Sequence, residues 1–596
     1  MANRVKAHLL NAQTFPARIK TAQLRDREMG KLLLPNGIKV VLISDKTTPT
    51  AGAAMSIEAG SWLDGKHQGT AHFLEHMLFL GTKKYPDESD YERYMFDSNG
   101  TLNGYTANDH SMYYFSSILP SALPGALDRF SRFFYEPMLA KSCINREMNA
   151  VDEEYRKNLE SDAWRFLHVQ KDLANAHHPF SGFNTGNLDT MRLIDHSYLS
   201  SWFVRNYVAD KMNLVVHGKE SIEELTDQVY KHFSPIKRSQ NVGDFNDLGD
   251  VFPKSMKKKV VWVDPIKNVK QLSLHWEIPE RFMSLKTKPA NIVSSIIGNE
   301  GHNSLLSELK KKGYVETLSA GASELGYSNN MFEISVSLTD NGLKCWQSVV
   351  EQIFAGLRSL EREQVSSYVV DEINAMSKTH YEYQQRSSSI ATNYCQALRK
   401  EPLDSFPFHS YFIETFSREL IGDVFRHLSP ENAFVMILAK NDAVKYESQE
   451  KWMGAAYCTK SWLPSSVILP DNVKLPAPNQ FISKKLELLD IKTSQVPEMI
   501  HSSEGVTLYH FPDNSFESPE AAIHFFIKTP SISPGNAKSL ALSMVWNKFV
   551  ADRLTEYSYN SSIAGLNYRV HTSKSTLCLT QILGLLCLSM ATIKAH

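Results

Sequence analysis

Thr70-Ala71-His72-Phe73-Leu74-Glu75-His76-Met77-Leu78-Phe79-Leu80-Gly81 decides how this chain is read. The run reads as a helix stopped at Gly81. Residues at i and i+4 share a helix face, so His72 and His76 project side by side. Glu75 stands one position before His76 and three after His72, which puts all three within an arc of about 100°. Every other residue from Phe73 to Leu80 is apolar, so the helix is expected to be buried. Two imidazoles and a carboxylate on one buried stripe must find partners. A divalent metal satisfies them, and zinc suits paired imidazoles best. The competing structural reading is two core histidines bonded to backbone carbonyls, with Glu75 paired to a lysine. The apolar run around them argues against it.

The spacing H-x-x-E-H is that of the inverted zincins. A catalytic zinc with two histidines takes a third protein ligand and keeps a fourth position open. That ligand is expected from another helix, and residues 143–158 are the strongest candidate. Glu147 and Glu154 lie two turns apart on one face of it. Spacing does not choose among Glu147, Asp152, Glu153 and Glu154. A solvated helix carboxylate is the ordinary reading of any one of them.

Several stretches carry a resemblance to a known family. They are Gly60-Ser61-Trp62, residues 72–86, Gly125-Ala126-Leu127-Asp128-Arg129-Phe130 and residues 146–154. Asp162-Ala163-Trp164-Arg165, His178-Pro179-Phe180-Ser181 with Thr185-Gly186-Asn187, and residues 304–310 continue the series. In this order they resemble the insulinase (insulysin-like, pitrilysin-type) zinc metallopeptidases, over residues 30 to about 570. The resemblance implies one zinc ion per chain, with His72, His76 and Glu154 as ligands. It implies Glu75 as the catalytic base and Glu147 as a supporting carboxylate behind the ligands. It also implies repeated α+β units of the LuxS/mitochondrial-processing-peptidase-like kind, with antiparallel-rich sheets flanked by helices.

The activity implied is zinc-dependent cleavage of short peptides and small polypeptides. Zinc acidifies water and polarises the scissile carbonyl. Glu75 takes the water's proton and passes it to the leaving amine. Substrate is expected to add as a strand to a sheet edge, near Asn103 and Gly104. Residues 102–106 and 112–117 alternate enough to be paired strands there. Gly104 replaces the alanine expected of relatives. A second, remote anchor for the substrate's N-terminus is implied at Gly301, Ser304, Ser319, Ala320 and Gly321. The small residues of these stretches let a backbone approach, although His302 and Asn303 depart from the small and proline residues expected.

The chain has 596 residues, too many for one core. Its 42% hydrophobic and 22% charged content is ordinary for a globular protein, and its net charge of −1 gives no case for nucleic acid or an anionic membrane. Six cysteines without paired spacings favour a reducing compartment. Residues 1–35 hold no apolar signal core, so the expected location is cytoplasmic.

An internal repeat is visible. Residues 37–45 align with 505–513, each followed by a second strand, at 51–57 and 521–527. A helix comes next in each, carrying His72, Glu75 and His76 in the first copy. The second copy, expected at 538–550, has no metal ligands. The expected units are a catalytic zinc-binding domain at 30–245, a second non-catalytic homologous domain at 255–480 and a partial third at 500–575. Residues 576–596 read as a divergent apolar tail, short for a membrane span. The resemblance also implies a second half, absent here, that brings an arginine and a tyrosine opposite the zinc. The alternative reading is therefore a truncated half-enzyme that binds zinc and peptide, or regulates, with little turnover. An oligomer or a partner chain is then the source of the second half.

Overall fold

The computed structural model describes residues 13–14, 27–239, 248–384, 387–462, 472–483, 486, 494–513, 518–528, 536–572 and 576–583. Two seven-stranded sheets organise most of them. The first holds β1 (Gln13–Thr14), β2 (Arg27–Leu33), β3 (Lys39–Asp45), β4 (Ala51–Ile57), β5 (Thr101–Thr106), β6 (Ser111–Ile118) and β7 (Met212–Gly218). Their order is β1-β2-β3-β7-β4-β6-β5. Only β3 and β7 run parallel within it. The second sheet holds β8 (Lys259–Val263), β9 (Lys270–Ile278), β10 (Val315–Gly326), β11 (Asn329–Leu338), β12 (Phe434–Ala439), β13 (Ser448–Gln449) and β14 (Ala456–Ser461). Its order is β10-β11-β9-β12-β8-β14-β13, with β8 and β12 parallel.

Read from the other edge, β8-β12-β9-β11-β10 repeats β3-β7-β4-β6-β5 strand for strand. The two sheets are thus copies of one mixed, antiparallel-rich α+β pattern. After β4 comes the helix Thr70–Leu78, and after β9 comes Pro289–Ile297. The second helix reads Pro-Ala-Asn-Ile-Val-Ser-Ser-Ile-Ile and carries no ligand-forming side chain of the His, Cys or carboxylate kind.

β4 and β7 are buried along their whole length, the mark of a sheet covered on both faces. One face packs on the unit's own helices through Leu42, Met55, Phe73, Phe130 and Trp202. The other face presents Val41, Ile43, Ala54 and Val215 to helix Ile390–Leu398 of the second unit. The first sheet therefore has no stable solvent face of its own, and the two units are one packing problem.

Two expectations are corrected here. The third unit's helix runs over Ala537–Ile563, far beyond 538–550. The expected tail at 576 begins instead as β19 (Thr576–Leu583), the central strand between β17 (Ala521–Lys528) and β18 (Leu566–Thr572). Residues 584–596 lie outside those described. β15 (Glu498–Ser503) and β16 (Val506–His510) form a separate hairpin, so the aligned strands at 39–45 and 506–510 sit in different kinds of sheet. Among the described residues no helix is long and apolar enough to cross a membrane.

Candidate metal centre

Helix Thr70–Leu78 starts from Gly69 at φ 92°, where an added Cβ would come within 2.4 Å of Gly186 Cα. Glycine is required there by both the left-handed backbone and the close approach. The helix is capped from a distance. The Asp64 carboxylate accepts from the Gly69 and Ala71 N–H groups at 2.7 and 2.8 Å. Burial pushes the Asp64 carboxyl up to about 7, against the pull of these two bonds. Asp64→Ala leaves two buried donors without a partner, each worth about 1–3 kcal/mol. An overall loss of about 2–4 kcal/mol is expected, read as a lower denaturant midpoint with unchanged slope. The helix ends at Leu78 rather than at Gly81, with the chain turning through Phe79 and Leu80.

His72 and His76 stand with ring centroids 5.0 Å apart. The Thr185 carbonyl lies 2.7 Å from His72 Nδ1, so Nδ1 carries the proton and Nε2 is left to face the site. Glu154 arrives from helix Lys141–Asn158. Its Oε2 lies 3.4 Å from His72 Nε2 and 3.7 Å from His76 Nε2. Among the described residues His72, His76 and Glu154 form the one cluster whose ligand atoms all lie within 4.8 Å of one another. Three ligands about 2.1 Å from zinc on a tetrahedron are about 3.4 Å apart, close to the 3.4 and 3.7 Å that separate Glu154 Oε2 from the two imidazoles. The donor set fits a divalent metal of the zinc type.

The charges agree. Burial lowers His72, but the Glu154 bond and the Glu75 charge more than offset it and push the imidazole up to about 9. His72 and His76 together hold the Glu154 carboxyl well below the usual carboxylate range.

The other carboxylates separate by position. Glu147 Oε2 is 3.6 Å from His76 Nδ1, on the side away from Glu154. Asp152 is used up in structure: its Oδ1 accepts from the Leu188 N–H and its Oδ2 from Arg156 Nε. Glu153 is exposed. Glu75 is 8% exposed and lies outside the three-atom cluster. Its Oε2 accepts from Thr106 Oγ1 at 2.6 Å. Burial raises the Glu75 carboxyl, partly offset by the neighbouring histidines.

Thr106 belongs to β5, the edge strand of the first sheet, which pairs with β6 as Gly104↔Tyr113 and Thr106↔Ser111. A Cβ at Gly104 would sit 3.1 Å from Glu75 Oε1 and 3.3 Å from a Phe79 ring carbon. The edge strand thus lies against the Glu75 carboxylate. Asn103 is exposed there, its Oδ1 accepting from the Gly104 N–H.

The remote residues divide into two groups. Ser319, Ala320 and Gly321 lie on β10, the edge strand equivalent to β5, and a Cβ at Gly321 would meet open space. Gly301 and Ser304 are buried instead. Ser304 caps helix Leu305–Lys311 by accepting from the Ser307 N–H, and Gly301 packs near Tyr559 and Asn560 of the third unit's long helix. Sequence reading missed Asp64, Thr106 and Thr185. Asp64 precedes the helix by six positions, and Thr106 and Thr185 reach the site only through folding.

Three family models match consecutive parts of the chain. They are the insulinase (peptidase family M16) model at 39–177, the peptidase M16 inactive domain at 194–376, and the middle or third domain of peptidase M16 at 380–581. The chain belongs to the M16, insulinase/pitrilysin-type, peptidase family. The insulin-degrading enzyme of Homo sapiens is 34% identical over 563 residues, covering 91% of this chain and 55% of that protein. The A-factor-processing enzyme of Saccharomyces cerevisiae is 30% identical over 591 residues, covering 96% of this chain and 57% of that one. The chain thus spans little more than half the length of these relatives. A crystal structure of pitrilysin shares the fold with a TM-score of 0.80 at 22% identity, over 96% of this chain and 62% of that one. The M16 match boundaries do not follow the sheets: β7 falls in the second match yet lies at the centre of the first sheet.

Proposed function

We propose that this M16 chain is a zinc-dependent endopeptidase acting on peptides and small polypeptides. The observation that carries the reading is the spacing of His72 Nε2, His76 Nε2 and Glu154 Oε2, with Glu75 beside them but outside the set. Zinc held by these three atoms supplies Lewis acidity to a scissile carbonyl and to water.

The chain's own residues do the rest. Glu75, aimed by Thr106 and shielded from solvent, takes a proton from the attacking water and returns it to the leaving amine. Burial that raises its carboxyl brings it nearer the strength a neutral-pH base requires. Glu147 steadies His76 from behind, and Thr185 holds His72 in the tautomer that presents Nε2. The open side of β5 offers main-chain donors and acceptors to an extended peptide, laid past Asn103 and Gly104 against Glu75. Ser319, Ala320 and Gly321 offer the same kind of edge on β10 as a second anchor. Gly301 and Ser304, being buried, contribute to the shape behind that anchor. The names of the relatives, which refer to insulin and to A-factor, support peptide-sized substrates.

A fluorogenic peptide assay tests the reading. Turnover is expected to fall to background after treatment with a zinc chelator and to return on adding zinc. Turnover indifferent to the chelator rejects the metal role. Against the alternative of a truncated binding or regulatory partner, a pure binder has no use for a buried carboxylate held by Thr106 of the edge strand.

A further inference from the structure

We infer that a loop of the second unit, residues 450–455, is a positioning element for the metal centre of the first, and that Trp452 is its key side chain. The inference rests on the metal reading above.

The loop joins β13 to β14 and is locked from within. Glu450, 2% exposed, accepts from the Trp452 N–H through Oε1 at 2.8 Å and from the Met453 N–H through Oε2 at 2.6 Å. Its own N–H donates to the Ala455 carbonyl at 2.9 Å, and Gly454 takes φ 66° to close the turn. A buried carboxylate that satisfies two backbone donors makes a stiff loop.

What that loop grips is specific. The Trp452 indole stacks on Phe183, with centroids 4.3 Å apart and planes at 11°. The Lys451 ammonium lies 4.0 Å from the same ring's centroid. Tyr155 OH donates to the Trp452 carbonyl, and Arg165 Nη1 donates to the Met453 carbonyl at 2.7 Å. The Tyr155 and Phe183 rings meet edge to face at 5.3 Å, and His168 meets both Phe183 and Glu450.

Tyr155 directly follows Glu154 on its helix. Phe183 stands two residues before Thr185, whose carbonyl orients His72. Glu154 is half exposed, and among the described residues its ion-pair partners are the two histidines. Its placement therefore depends on what holds the helix end that carries it. Two supports of the site, one for the Glu154 ligand and one for the His72 tautomer, converge on one indole and its carbonyl. Within the first unit, Lys171 ties the segment that carries Phe183, reaching the Gly182 carbonyl at 3.1 Å and Asn184 Oδ1 at 2.9 Å.

The test measures zinc affinity by chelator competition in the full chain, with thermal stability recorded beside it. Losing an outer support of a metal site costs about 10–100-fold in affinity. Trp452→Ala is expected to weaken zinc binding by that much, and Trp452→Phe, which keeps an aromatic face for Phe183, to stay within about threefold. Tyr457→Phe is the control. It removes a hydrogen bond to Asp172 across the same boundary without touching Tyr155 or Phe183, and should leave zinc affinity unchanged. A Trp452→Ala chain that is less stable but binds zinc as the wild type does overturns the proposal. If Trp452→Ala does not fold, Tyr155→Phe decides, since it deletes one hydroxyl: weakened zinc binding supports the proposal and unchanged binding overturns it. A wild-type chain that takes up no zinc sinks the metal reading and this one together. Zinc binding by the wild type with no change in the variants sinks this one alone.

Discussion

Glu75→Gln is expected to retain zinc at wild-type affinity while peptide cleavage falls by about 10²–10⁴-fold, the contribution of a positioned general base. The substitution preserves shape. The amide oxygen still accepts from Thr106 Oγ1, so the side chain stays between the helix and β5. What it removes is basicity alone. The loss should fall on kcat, because Glu75 is outside the ligand cluster and its work is done as the carbonyl is attacked. The checks are kcat and KM on a fluorogenic peptide and zinc content on the same preparation. A metal-replete Glu75→Gln protein within tenfold of wild-type turnover rejects the assignment. Loss of zinc from that variant instead makes Glu75 a ligand.

His72→Ala is expected to fail one step earlier, at metal uptake. It removes one of three ligand atoms and strips the Thr185 carbonyl of its donor. The affinity loss should exceed the 10–100-fold that follows loss of a supporting residue, and turnover should drop to background. A second readout does not depend on activity. A ligand that binds only the folded state stabilises it by about 4 kcal/mol at a thousandfold excess over Kd. Zinc should therefore raise the melting temperature of the wild type and leave that of His72→Ala unmoved. A His72→Ala chain stabilised by zinc to the same degree as the wild type rejects the ligand assignment.

The helix that carries His72, Glu75 and His76 was legible because its signal is local. His72, Glu75 and His76 lie within five positions, and a helix of any length puts them on one stripe. The strands at 102–106 and 112–117 were legible for the same reason: alternation is a property of neighbours in sequence. Choosing Glu154 over Glu147, Asp152 and Glu153 was beyond spacing. All four sit on one helix within three turns. What separates them is how that helix crosses the other, which puts Glu154 between the imidazoles, Glu147 behind His76 and Asp152 against the Leu188 N–H. Asp64, which caps the metal helix from outside it, left no mark in the pattern of hydrophobic residues. Ser304 shows the converse. Its small side chain suggested a docking place for substrate, but a serine just before an apolar helix also serves as a cap, and here it is buried as one.

The sequence by itself determined the local pattern: two imidazoles and a carboxylate at helical spacing, and a family-length series of motifs around them. Only the tertiary structure decided which carboxylate lies between the imidazoles, which sheet edge faces Glu75, and that the second unit packs against the first. The physical reason is range. Helical and strand periodicities act between residues a few positions apart, whereas Glu154 meets His72 from 82 positions away, and Trp452 meets Phe183 from 269, only because two copies of one sheet pack together.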